Sequence, residues 1–326
     1  GQGPSVQQLQ NVTQQMTDIF RNQGFAQTSE GIDTGIEFCM ASFDPDGNPT
    51  DGVTYTTSPL GQHQIGDQNL KNLSRWNTRQ YLNVWLVNEI CSDAAGDECG
   101  VAGYANFSNA HGSISDGIVV EHRWCDGDPA RTKILAHEVG HYVDLFHPFS
   151  GGCPNSNCLQ QGDRVCDTPP DNTIRSNPGC FPINSCSTDA DDPSARNPFS
   201  TDVDDLTELY MDYGRQTCQS LFTQGQLVRM EAALDVVRTS LQSSPACGNN
   251  IQQDAGLQAV SPLQFSCDPT RDLEVEVSAL GEAINSIDIN VFVNGANLGV
   301  QSFSPGIAAG SYQRLTLSGV GVDPGE

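Results

Sequence analysis

The run His137-Glu138-Val139-Gly140-His141-Tyr142-Val143-Asp144-Leu145-Phe146-His147 sets three imidazoles and a carboxylate in one short stretch. Two histidines four apart on a helix project from the same face. Both can therefore reach one Zn²⁺ at about 2.0–2.1 Å. Glu138 follows the first of them and points to the side where a water on that metal would sit. Zinc lowers the pKa of such a water from about 15.7 to about 7, so a neighbouring carboxylate can take its proton and attack on a peptide carbonyl becomes feasible at neutral pH. The third imidazole, His147, lies beyond the helix, so the chain must turn sharply after His141. Three protein ligands leave one coordination position for water. The expected zinc ligands are His137, His141 and His147, with Glu138 as general base.

The sharp turn falls on Asp144. The extended zincin pattern HExxHxxGxxH has glycine there, because the position favours φ > 0. Aspartate is among the few other residues enriched in that conformation, so it is expected to be tolerated at some cost. A bare HExxH also occurs on ordinary amphipathic helices. A third histidine at the right spacing, a capped helix ahead of the motif and Pro148 after it weigh against that reading. His63, His111 and His122 have no such partners and read as ordinary surface or hydrogen-bonded residues.

The motif needs a helix to carry it, and Asp128 followed by Pro129 is a good start signal. That helix holds Ile134, Leu135, Val139 and Tyr142 and should end near Asp144. Upstream, Val6, Leu9, Val12, Met16, Ile19 and Phe20 recur at helical spacing over residues 5–22. Residues 36–40, 81–87, 103–107 and 117–121 read as strands, 69–76 as a short helix and 44–51 as a turn. Residues 149–204 are irregular, and a second long helix is expected over 223–241. Residues 243–250 read as a linker. Beyond it, strict alternation from Leu273 and from Ile287, a hairpin signal at Asn294-Gly295 and a strand at 312–317 predict a small all-β sandwich without an obvious closing strand.

The net charge is −25, with a pI near 4.2. Nucleic acid and anionic membrane both require a basic face, so neither is expected as a partner. No apolar run is long enough to span a bilayer. Twelve cysteines suggest an oxidising compartment. Six disulfides would leave no free thiol; the alternative, a cysteine metal site, has no CxxC pair to build on. The N-terminus lacks a signal peptide's basic and apolar regions, which reads as a processed or truncated form of an exported precursor.

The chain resembles one metzincin branch, the pappalysin-like metallopeptidases. The resemblance rests on residues 33–39 (Asp-Thr-Gly-Ile-Glu-Phe-Cys), 81–85, 116–120, 137–148, 162–170 (Gly-Asp-Arg-Val-Cys-Asp-Thr-Pro-Pro), 211–213 and 218–230, and it covers roughly residues 5–242. It implies an α+β, two-lobed zincin catalytic domain over 1–246, with a mixed twisted sheet and a long active-site helix. The upper lobe would span about 1–144 and the lower about 145–246, with the β-sandwich as an accessory domain over 247–326. An antiparallel edge strand near residues 103–107 would bind extended protein or peptide substrate by main-chain hydrogen bonds. Met211 would form a methionine turn beneath the zinc, and Tyr213 would line the site and stabilise the oxyanion. Structural calcium is implied at Asp163, Asp167 and the Thr168 carbonyl. Cys180 would pair with Cys218, and Cys186 with Cys158 or Cys166. The activity implied is that of a secreted, monomeric zinc endopeptidase without its inhibitory propeptide. A non-catalytic adhesin retaining the zinc-stabilised fold and a zinc hydrolase of non-peptide amides are the rivals. Residues 214–217 would shape the pocket after the scissile bond, and they include no acid to prefer a basic residue.

Overall fold

Two capped helices frame the centre of the molecule. The computed structural model describes residues 3–92, 98–172, 180–247, 255–259, 270–279, 283–293, 296–308 and 311–321. Helix α1, Val6–Phe20, starts in a capping box: Gln8 N–H donates to Ser5 Oγ while the Gln8 side chain accepts from Ser5 N–H. Its apolar stripe buries Val12, Met16, Ile19 and Phe20. Residues 36–40, expected as a strand, join no ladder. Phe38 N–H donates instead to Thr17 Oγ1 at 3.0 Å, so the segment hangs on α1, and Ile36 and Phe38 pack into the core. The alternation there reported a buried face but not a neighbouring strand.

Two small sheets come next, one of two strands and one of three. Strand β1 is Gln62–Gln64, helix α2 is Gln68–Asn72 and strand β2 is Val84–Val87. Strands β3 (Glu89–Cys91), β4 (Gly103–Ala105) and β5 (Ile118–Glu121) follow. β1 pairs with β3 in parallel. β2 lies parallel to β5, and β4 runs antiparallel along the other side of β5, which leaves β4 on the edge. Ile118, Val119 and Val120 of β5 are fully buried, as suits a central strand covered on both faces. The expected mixed sheet with an antiparallel edge is present, with strands shorter than the apolar runs that announced them.

Helix α3, Pro129–Tyr142, carries the motif. Asp128 caps it by accepting from Ala130 N–H at 2.8 Å and Arg131 N–H at 3.3 Å. Leu135, Ala136, Val139 and Tyr142 join the α1 stripe, β5 and Phe222, Leu227 and Met230 in one core. The helix expected over 223–241 is broken into α4 (Gln224–Ala232), a π turn (Ala233–Val237) and α5 (Thr239–Gln242). The break ends at Arg238, which is fully buried. Its guanidinium donates to the Tyr142 carbonyl at 2.8 Å and to the Asp116 carboxylate at 2.8 and 3.0 Å. A buried charge needs such partners, and the wider turn ends at the residue that makes them.

The chain divides into two compact units, residues 1–247 and 248–326. In the second, β6 (Ala255–Ala259), β7 (Thr270–Ala279) and β10 (Tyr312–Gly321) form one antiparallel sheet in the order β10-β7-β6. β8 (Ile287–Val293) and β9 (Ala296–Phe303) form another. Val275, Val277, Ile284, Ile289, Ile307, Leu315 and Leu317 bury one apolar cluster between them. The hairpin signal at Asn294-Gly295 lies outside the described residues.

Five disulfides are present among the described residues: Cys39–Cys247, Cys91–Cys99, Cys153–Cys186, Cys158–Cys166 and Cys180–Cys218. The Cys180–Cys218 pairing is as expected. Cys186 bonds Cys153 rather than Cys158 or Cys166, because those two close their own short loop. The expectation of six bridges is corrected too: Cys125 is a free, buried thiol among the described residues, and Cys267 lies outside them.

Candidate active site

Helix α3 presents His137 and His141 one turn apart, and the chain reverses after Tyr142 to bring back His147. The reversal is sharp: Asp144 has φ 70°, in the left-handed region that the sequence pattern requires. The Nε2 atoms of His137 and His141 each lie 3.0 Å from His147 Nε2. His137 Nδ1 faces the Tyr210 carbonyl at 2.8 Å, and His141 Nδ1 faces the Leu145 carbonyl at 2.8 Å. A carbonyl only accepts, so each Nδ1 carries the ring proton and each Nε2 presents a lone pair. These lone pairs point at His147 Nε2. A proton on His147 relieves one contact, whereas a cation shared by the three nitrogens relieves both. Zinc–nitrogen bonds of about 2.0–2.1 Å in a tetrahedron set ligand nitrogens about 3.3 Å apart, so the donor set fits zinc. Burial holds all three imidazoles below their ordinary range, His147 down to about 3, and their mutual charge adds to this at His137 and His147. They are neutral ligands at neutral pH.

Glu138 is 5% exposed. Burial pushes its carboxyl up to about 8, and a divalent cation beside it opposes that shift. Edge strand β4 crosses directly over it: a Cβ added to Gly103 would sit 2.9 Å from Glu138 Cγ. The strand therefore approaches the carboxylate only because residue 103 is glycine. Beneath the helix, Met211 is fully buried. A Cβ on Gly140, between the two helical histidines, would collide with Met211 Sδ. The Tyr210 carbonyl that orients His137 belongs to the same turn. The Tyr213 ring lies 5.7 Å from the His137 ring and 4.8 Å from the His147 ring, and burial followed by the Glu138 charge raises its hydroxyl's pKa. Lys133, one turn before His137, donates to the Gln216 and Gln219 carbonyls at 2.8 and 2.6 Å. This joins the helix to the segment after Met211.

The residues expected to hold calcium have other work. Thr168 Oγ1 donates to both oxygens of Asp163, at 2.9 and 2.8 Å. Asp167 accepts from Thr223 Oγ1 and from Gly225 N–H, both at 2.8 Å, and so anchors the start of α4. Both carboxylates are engaged by the chain itself, and calcium gains no support. Among the described residues, the other group with metal-ligand types is Glu89, Cys91 and Cys99, but its two sulfurs are joined in a disulfide. His63 bonds Tyr104 and His111 bonds Ser240, in line with the ordinary roles expected of them.

A family model described as pregnancy-associated plasma protein-A, a peptidase family, matches residues 65–235. That range takes in the three-stranded sheet β2-β5-β4, α3, all three histidines, Met211 and α4. The chain belongs to this pappalysin family. It is similar to an extracellular metalloprotease of Verticillium alfalfae, 28% identical over 224 residues covering 65% of this chain and 71% of the relative. It is also similar to one of Arthroderma gypseum, 28% identical over 190 residues covering 56% of each. Extracellular metalloprotease 1 of Coccidioides posadasii is 39% identical over 100 residues, 31% of this chain and 29% of that one. Thus the match spans little more than half of the second relative and under a third of the third. Among solved structures, mature mirolysin of Tannerella forsythia in complex with a cleaved peptide is 27% identical with a TM-score of 0.58, over 74% of this chain and 89% of that chain. Mirolysin in complex with compound 9 gives 27% and 0.57, over 74% and 90%. As a pappalysin, the chain is a zinc metalloendopeptidase, and its mixed α+β unit with one long helix resembles the mirolysin fold. No described helix is long and apolar enough to cross a membrane.

Several residues that shape this pappalysin site carried no advance signal. Gly103, Tyr210 and Leu145 act through backbone atoms or close approach, and Lys133 through an ammonium on carbonyls more than 80 residues away, which residue types do not announce. Phe107 packs on the His141 ring at 5.5 Å and on Phe146 at 5.0 Å, and it read only as the end of a strand.

Proposed function

We propose that this pappalysin is a secreted endopeptidase that hydrolyses peptide bonds with zinc on His137, His141 and His147, Glu138 as general base and Tyr213 as oxyanion donor. The observation that carries the reading is the convergence of three Nε2 atoms beside a buried carboxylate, with two of the rings fixed by carbonyls at Nδ1. When bound, zinc supplies a Lewis acid that polarises the scissile carbonyl and acidifies water. Glu138 accepts the proton of the attacking water and passes it to the nitrogen of the breaking C–N bond. The Tyr213 hydroxyl donates to the oxygen that gains charge. Strand β4 offers the N–H and C=O groups of Gly103–Ala105 to an extended peptide in the cleft. Its position on the sheet edge, over Glu138, supports that role.

The catalytic domain is read as 1–246, with upper lobe about 1–144 and lower about 145–246. Residues 247–326 are read as an accessory β-sandwich, a reading supported by the apolar cluster its two sheets share. Secretion is supported by five disulfides and by relatives named extracellular. All the named residues come from one chain, so a monomer suffices, and the charge of −25 disfavours nucleic acid. The decisive variant is Glu138→Ala. It is expected to keep one zinc per chain by atomic absorption while kcat/KM on a quenched peptide falls by about 10²–10⁴-fold. Activity within a few-fold of the unmodified chain would refute the role of Glu138.

A further inference from the structure

Asp144 stands where the zinc motif carries glycine, and it holds φ 70°, a conformation with a steric cost that glycine avoids. Its side chain has a specific engagement. Asp144 Oδ1 accepts from Ser108 N–H at 2.8 Å, and Oδ2 accepts from Ser108 Oγ at 2.5 Å. Ser108 is 3% exposed and Asp144 half-buried, so both bonds are partly buried. The Asp144 carbonyl is also held, accepting from Arg229 Nε at 2.6 Å. Glycine at 144 offers no side-chain partner to Ser108.

Ser108 lies three residues beyond the end of edge strand β4. The intervening residues are held as well. Lys71 Nζ donates to Asn106 Oδ1 at 2.8 Å, and Arg238 donates to the Asn106 and Phe107 carbonyls at 3.2 and 3.1 Å. The Phe107 ring rests against His141 and Phe146. Lys71 and Arg238 tie this segment to the protein behind it, whereas the Asp144 carboxylate bonds it to the turn that delivers His147.

We propose that Asp144 is a positioning residue: its carboxylate latches Ser108 to the ligand-bearing turn and thereby sets the end of the edge strand over the cleft for extended substrate. The proposal rests on β4 being the substrate-binding edge. Two observations carry it together, the retention of a non-glycine residue at positive φ and the two-pronged bond that only a side chain at 144 supplies.

The test uses Asp144→Gly, Asp144→Asn and Ser108→Ala in the full zinc-loaded chain. Two readouts are taken: exchange of the Ser108 amide hydrogen, and kcat and KM on a short and a long peptide sharing one scissile bond. In the unmodified chain, kcat/KM is expected to rise with peptide length. Asp144→Gly relieves the backbone conformation, so it folds, but it loses both bonds. It is expected to exchange Ser108 about tenfold faster and to lose about tenfold of the length gain, mainly through KM, the size of one charge-assisted hydrogen bond. Asp144→Asn tolerates the same φ and still accepts from Ser108, so it should retain most of both. Ser108→Ala should lose part of the gain, and pairing it with Asp144→Gly should add nothing. An Asp144→Gly chain with an unchanged length gain, or with unchanged Ser108 exchange, overturns the proposal alone. An unmodified chain with no length gain overturns the edge-strand reading and the proposal with it.

Discussion

Asp163 is 4% exposed, and burial, the largest influence on it, pushes its carboxyl from an ordinary 3.8 up to about 7. The folded chain therefore keeps this proton through a range in which the unfolded chain has released it. The group favours folding most below about pH 4, and its contribution is lost as pH rises towards 7. Asp163→Asn, which cannot ionise, should match the unmodified chain most closely near pH 4 and gain on it steadily towards pH 8 in urea unfolding. A stability difference independent of pH would show that Asp163 is ionised throughout. At this scale, legibility in the sequence follows from how a residue acts. The three imidazoles were readable because helical spacing alone aims two of them, and the third sits at a fixed distance past the turn. The cost at Asp144 was readable from its type, but its bond to Ser108 was not, since 36 residues separate the partners. Asp163 and Asp167 were implied as calcium ligands by the family resemblance alone, and in the structure they accept from hydroxyl and amide donors.

Helix α3 has to hold two imidazoles in register, and its start depends on Asp128. Asp128→Ala removes an acceptor for two otherwise unpaired amides and should cost about 0.5–2 kcal/mol of stability. Denaturant unfolding reads this directly, and an effect below about 0.3 kcal/mol would mean that packing alone sets the helix start. Elements with local signals were legible: α1 and α3 from caps and 3.6-residue spacing, and β2, β4 and β5 from their apolar runs. Two elements misled for the same physical reason. In residues 36–40 the apolar pattern reported a partly buried face, whereas over 233–241 Ala233 is buried and Val236 and Val237 are exposed. In both, tertiary partners, Thr17 in one case and Arg238 in the other, decided the backbone conformation. Strands β1 and β3 carried too few residues to announce themselves.

At the scale of the molecule, disulfides hold the long irregular stretch between α3 and α4, and zinc, when bound, would add to its stability. Metal that binds only the folded chain stabilises it by mass action, about 4 kcal/mol at a thousandfold excess over Kd. Chelation should therefore lower the melting temperature markedly and zinc should restore it; a chelated chain that melts unchanged would show that the three imidazoles bind no ion. A linker and a change of period in the sequence fall at the division between the two units at residues 247 and 248. Bridge pairing was not legible, because connectivity depends on which loops fold together. The bridge from Cys39 to Cys247 has one more consequence. It joins positions 208 residues apart, near the two ends of the first unit, so that unit is topologically a ring. A single cut anywhere between the two sulfurs, self-inflicted or not, leaves both fragments covalently attached. An enzyme working among other proteases can thus be nicked once and still travel as one molecule until it meets a reductant.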